Sequence, residues 1–135
     1  MRIVGFRAAN SASTQFRINN WMTAMQRMGH DVEVKGSPYG EQGQVRNIDQ
    51  ALDYFNMAVN GADVVVYGLT VDGKEVATFR AGQAAYGYKM IIDTDDLVQD
   101  VPAYNQASSS YHNATGLTRI AEAQYRSCDA VTVST

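Results

Sequence analysis

Residues 89–99 read KMIIDTDDLVQ, an apolar run (Met90, Ile91, Ile92) that breaks into three acids, Asp93, Asp95 and Asp96. A buried strand ending in carboxylates sets them where open α/β sheets hold ligands, outside the carboxyl ends of the strands. The cluster admits three uses. Carboxylates two residues apart can hold Mg²⁺ or Mn²⁺. One of them can instead act as a general base or accept hydrogen bonds from substrate hydroxyls. Alternatively, Asp95 or Asp96 caps the following turn and the others are solvated. The metal use is the least favoured, because Phe6-Arg7-Ala8 supplies no nucleophilic aspartate after the first apolar run.

A second polar constellation lies near the start, where residues 7–14 read RAANSAST. A helix opening near Thr14 points N–H groups at this stretch. With the hydroxyls of Ser11, Ser13 and Thr14, they can hold an anion or sugar hydroxyls, and Arg17 lies one turn further in. The same residues also serve as ordinary caps. No G-x-G-x-x-G follows the first apolar run and no G-x-x-x-x-G-K-[ST] occurs, which disfavours a dinucleotide site and a P-loop. His112 can transfer protons or be a plain surface histidine. Tyr104 and Tyr111 can stack on a ligand or pin their own loop. The candidate catalytic residues are therefore Asp95, Asp96 and His112, and the candidate binding residues are Asn10, Ser11, Ser13, Thr14, Arg17, Asp93 and Tyr104.

The elements that must position these groups follow from the apolar pattern. Short β-rich runs fall at 2–6 (RIVGF), 30–35 (HDVEVK), 62–68 (ADVVVYG), 89–92 and 129–134 (DAVTVS). The run at 62–68 is uninterrupted, as expected of a central strand covered on both faces. Between the runs lie helical patterns. The first spans about 14–28, with Ile18, Trp21, Met22, Met25 and Met28 inward, Ser13 or Thr14 as cap and Gly29 as stop. The second opens at Asn47, turns Ile48, Leu52, Phe55 and Val59 inward, and stops at Asn60-Gly61. A third runs from Asp72-Gly73 to about Tyr86, with Val76, Phe79 and Ala84 inward. A fourth covers roughly 113–127, after a loop at 100–110, and the glycine-rich stretch 36–44 is another loop. This alternation predicts one Rossmann-like α/β domain over 1–135, a doubly wound parallel sheet of five strands in the order 3-2-1-4-5. Strands one and four would then adjoin, so the two polar constellations would meet at one crevice.

Composition narrows the function classes. The 135 residues carry a net charge of −3 and a pI near 5.2, with scattered cations, which argues against a nucleic-acid-binding face. The single cysteine, Cys128, excludes an internal disulfide and a multi-thiolate metal site, and reads as a small buried apolar residue. No apolar run is long enough for a membrane span and no signal sequence is read at Met1-Arg2, so a cytoplasmic location is expected. Val131 and Val133 share one face of the last strand, whose outer edge offers a route to self-association.

Three stretches together resemble a known family. The opening helix ending in GHDVEV, the segment IIDTDDLVQDVP and the terminal AEAQYRSCDAVTVST resemble, in that order, the N-terminal domain of GT-B glycosyltransferases related to family 4, of bacterial and bacteriophage type. The resemblance implies the acceptor-side half of a nucleotide-sugar-dependent enzyme, with residues 10–17, Asp93, Asp95, Asp96 and His112 facing the transfer cleft. It further implies a sugar or glycan acceptor, no cofactor beyond the nucleotide sugar as co-substrate, and no required metal. The donor-binding half would stand on another chain or be lost by truncation, so this chain would be inactive alone, placed in a host cytoplasm or a virion if phage-encoded. Two other readings stay open: a glycosyltransferase-derived interaction module, and a small Mg²⁺-dependent nucleotide-binding α/β enzyme.

Overall fold

The computed structural model describes residues 1–7, 12–40, 46–70, 72–94 and 117–133. Over these residues the chain runs β1 (Arg2–Phe6), α1 (Ala12–Arg27), β2 (Asp31–Lys35), α2 (Ile48–Val59), β3 (Val64–Gly68), α3 (Gly73–Tyr86), β4 (Lys89–Thr94), α4 (Leu117–Ser127) and β5 (Ala130–Val133). All strand pairs are parallel, and the class is the Rossmann-like α/β sheet that the alternation of patterns predicts.

The strand order is β2-β1-β3-β4-β5, which corrects the expected 3-2-1-4-5. The reason lies in the strands themselves. β3 is apolar along its length, with Val65 to Gly68 all buried, and it needs neighbours on both sides. β2 alternates charge with valine, keeps Asp31 exposed, and suits an edge. Placing β3 between β1 and β4 separates the two strands expected to adjoin. It moves the topological switch point to the β1/β3 boundary.

Side-chain alternation divides the core. Val4, Phe6, Val65, Tyr67, Met90 and Ile92 face α2 and α3, where they meet Phe55, Val59 and Phe79, with Tyr125 of α4 packed alongside. On the other face Ile3 and Val66 meet Ile18 and Met22 of α1. Two glycines make these layers close. A Cβ on Gly5 would stand 2.6 Å from Met22 Cε, and one on Gly82 would stand 2.5 Å from Phe55 Cε1.

Several helix positions expected inside are outside. Trp21 (37% exposed) and Met28 (69%) flank the α1 stripe, because a helix lying this close over a sheet buries only a narrow band. The buried stripe of α2 is Ala51, Phe55, Ala58 and Val59. The two alanines let it approach tightly and turn Ile48 and Leu52 to the rim. Ala84 is exposed because Gly82, two positions earlier, is the residue that meets Phe55. The caps at the second and third helices stand where the sequence puts them. Asn47 and Gln50 exchange hydrogen bonds in a capping box, and Asp72 accepts from the Lys74 N–H. α1 begins at Ala12, so Ser13 and Thr14 lie in its first turn rather than at its cap.

Candidate functional site

Strand register sets Phe6, Lys35 and Tyr67 side by side, so the three segments that follow β1, β2 and β3 emerge together at the switch point. A small depression opens there. Its apolar wall is Phe6, Tyr67 and Phe79. The Tyr67 and Phe79 rings stack with centroids 4.1 Å apart, and Phe6 meets Phe79 edge-on at 5.2 Å. Its polar wall is Arg7, Ser37 and Glu75. Among the described residues the buried Tyr67 hydroxyl has no hydrogen-bond partner, and burial pushes its ionisation above the ordinary phenol range.

Glu75 owes its place to a departure from local rules. Asp72-Gly73-Lys74-Glu75 has the spacing of a capping box, in which the glutamate would fold back onto the Asp72 N–H. Here that N–H donates to Thr70 Oγ1 instead, at 3.2 Å. Glu75 is released to turn inward, 7% exposed, where it accepts a hydrogen bond from the Ser37 hydroxyl. Ser37, 2% exposed, is set by its own backbone segment: the Tyr39 N–H donates to its Oγ, and Arg46 donates to its carbonyl at 3.1 Å. The Tyr39 and Thr78 hydroxyls, 2.8 Å apart, tie the same segment to α3. Among the described residues Ser37 is the only hydrogen-bond donor to Glu75, so the carboxylate retains acceptor capacity beside the depression.

A second polar grouping stands on the α1 face at the end of β4. The strand extends to Thr94, which places Asp93 inside it, 3% exposed. Arg17 donates to Asp93 through Nε at 2.9 Å and Nη2 at 2.7 Å, a bidentate pair. Thr132, the register partner of Asp93 on β5, donates to Oδ1 at 2.6 Å. Arg17 and Asp93, both candidate binding residues, are thus brought together, on each other. The backbones of Ser13 and Thr14 lie in α1. Asn10, Ser11, Asp95, Asp96, Tyr104 and His112 lie outside the described residues. Glu75, Ser37 and Arg7 were not singled out by the sequence reading. The signal for Glu75 was the Asp-x-x-Glu spacing, which also fits a plain cap. Among the described residues no group of three acids, histidines or cysteines could hold a metal, and no helix is long and apolar enough to cross a membrane.

No protein-family model matches this chain, and no curated protein does. Among solved structures it is similar to a short-chain dehydrogenase/reductase (ethylated) from Veillonella parvula DSM 2008. The TM-score is 0.58 and identity 14%, over 98% of this chain and 67% of that one. It is likewise similar to a short-chain dehydrogenase/reductase (wide type) from the same organism in complex with NADP. There the TM-score is 0.56 and identity 14%, again over 98% of this chain and 67% of that one. At such identity the likeness carries the fold. These neighbours are not GT-B domains, and they overturn the glycosyltransferase resemblance together with the acceptor-half function read from it. The expectation of no cofactor is corrected as well, since one neighbour holds NADP. Two of the three quoted motifs span a helix end and the next strand start and the other covers the end of β4, features that any parallel α/β sheet requires, which is why they misled.

Proposed function

We propose that this chain is a nucleotide-binding domain that takes a nicotinamide dinucleotide across the C-terminal edge of its sheet, at the β1/β3 switch point. The observation that carries the reading is the β1/β3 switch point, where open α/β sheets bind ligands, with the polar groups of Arg7, Ser37 and Glu75 gathered beside it. The NADP held by a neighbour of the same fold supports it. Phe6, Tyr67 and Phe79 are buried core behind the depression, and Arg7, partly exposed at the end of β1, offers positive charge to phosphate. The departure is the turn after β1, where no glycine occurs between Gly5 and Gly29. A pyrophosphate there would meet the N–H groups at the start of α1 rather than a glycine-rich turn. A bound nicotinamide ring supplies hydride transfer; the role assigned to this chain's residues is binding and orientation.

Thermal unfolding with NADH, NADPH and, as control, UDP-glucose tests the reading. Saturation at ~100 times the Kd adds about 2.7 kcal/mol, a rise on the order of 10 °C for a chain of this size. Stabilisation by a nicotinamide dinucleotide and not by UDP-glucose is expected. A flat response to both dinucleotides overturns the proposal.

A further inference from the structure

We infer that β5 is a dimerisation edge, and that its occupant is β5 of a second copy of this chain, paired antiparallel about a two-fold axis. The inference stands apart from the nucleotide reading. It starts from the two edges of the described sheet, β2 and β5, each with one side that faces no strand of that sheet. Such an edge is a template for another strand, and soluble proteins blunt it with charge. β2 is blunted in this way. Its sequence Asp31-Val32-Glu33-Val34-Lys35 sets a charge at every second position, with Asp31 bridged to Arg2 and Lys35 to Glu33. β5 reads Ala130-Val131-Thr132-Val133 and carries no charge. The acid just before it, Asp129, is occupied by Lys89 Nζ, Gln83 Nε2 and the Met90 N–H.

The side chains of β5 are set for a partner strand. Thr132 donates to Asp93, the residue that Arg17 of α1 grips, so Thr132 lies on the α1 face. Alternation puts Val131 and Val133 on the other face, in line with Ile92. Ile92 is buried there, but Val131 is 39% exposed and Val133 62%. α4 turns Ala121 and Gln124 inward and leaves Arg119, Glu122 and Arg126 to water, so it does not cover the two valines.

The occupant follows from matching charge and face. An antiparallel pairing about a two-fold at Thr132 sets Val131 of each copy opposite Val133 of the other, all on one face. The four valines cover one another, no charge is buried, and the contact closes on itself. Joining β5 to the β2 edge of another copy would instead bring Asp31, Glu33 and Lys35 against the valines. That contact is head-to-tail and opens into a filament. Charge and closure both select β5 on β5.

Sedimentation velocity on the full chain, over a concentration series, tests the inference. The wild type is expected to pass from monomer to dimer as concentration rises. Val133→Lys alters a largely exposed position, so the monomer keeps its fold, as far-UV circular dichroism checks. It should weaken dimerisation at least about tenfold, because two cross-strand pairs are lost at once. Met57→Lys adds the same charge at an 80% exposed position on α2 and should leave the dimer as it is. A wild type that stays monomeric to its solubility limit overturns the inference. So does a Val133→Lys chain that dimerises as the wild type does. An equal loss in Met57→Lys would mark a general effect of added charge and overturns the edge assignment. Masses that grow past the dimer also overturn it, for they signal an open contact rather than a closed pair.

Discussion

The pair Arg17–Asp93 makes a prediction with an unusual sign. Asp93 is 3% exposed and Arg17 20%, so the two ends of the bridge do not share the risk of its loss equally. Replacing Asp93 by Asn leaves a guanidinium that can turn toward water. That change should cost about 1.5–3 kcal/mol, the range for a hydrogen bond to a charged group. Replacing Arg17 by Met keeps the aliphatic stem but strands the carboxylate, with Thr132 Oγ1 at 2.6 Å as its remaining donor among the contacts described above. Breaking a buried pair in this way costs roughly 3–5 kcal/mol. The consequence is a reversal: Asp93→Asn destabilises the wild type, yet in the Arg17→Met background it removes the stranded charge and should restore about 1–2 kcal/mol. Urea unfolding followed by the fluorescence of the single tryptophan, Trp21, which lies on the same helix as Arg17, reads all four chains. With a slope of about 1.5 kcal/mol per molar urea, the Arg17→Met midpoint should fall by roughly 2–3 M, if the chain stays folded at all, and the double variant should recover about 1 M. If the double variant is less stable than Arg17→Met, the carboxylate does not depend on Arg17 and the reasoning fails.

Two further outcomes are expected. Tyr88 donates to the Phe79 carbonyl at 2.6 Å, whereas the Tyr67 hydroxyl is buried without a partner among the described residues, so Tyr88→Phe should cost about 1 kcal/mol and Tyr67→Phe nothing or less, by thermal unfolding. Asp129 accepts from the Met90 N–H at 2.8 Å, from Lys89 Nζ at 3.0 Å and from Gln83 Nε2 at 2.9 Å, and these bonds, the Met90 N–H first, hold its ionisation below the usual carboxylate value. A lowered folded value means stability that is present above about pH 4 and lost as pH falls through the folded pKa; Asp129→Asn should flatten the acid limb of the stability curve, and an unchanged limb would count against the cap.

What could be read from the sequence was local. Asn47 with Gln50, Asp72 before Gly73 and the five β-rich runs are settled by contacts a few residues apart, and they stand where the pattern puts them. Strand order depends on which runs meet across the sheet. Even so, a clue was present. An order of 3-2-1-4-5 sends β3 to an edge, while its unbroken ADVVVYG run demands cover on both sides, and the alternating DVEVK of β2 does not. The pairing of Arg17 with Asp93 was approached for the wrong reason. It was expected from adjoining strands, but α1 itself spans the gap, since it contacts β1, β3 and β4 on one face of the sheet. Glu75 was hidden because its spacing from Asp72 fits a capping box, and only the tertiary structure shows that Thr70 has taken over that bond.

The two polar groupings at this sheet edge differ in what they have left to give. Asp93 is met by both nitrogens of a bidentate guanidinium and by a hydroxyl from the next strand, so its capacity is spent on tying α1, β4 and β5 together. Glu75 is also buried but has one donor among the described residues, a Ser37 hydroxyl whose own segment is held by the Tyr39 N–H and by Arg46. Folding alone gives no reason to prefer that arrangement, because turning Glu75 back onto the Asp72 N–H would satisfy a helix terminus and spare a buried charge. Glu75 forgoes the locally favourable bond and stands at the switch point with Ser37, whereas Arg17 and Asp93 spend their bonds on holding the fold together.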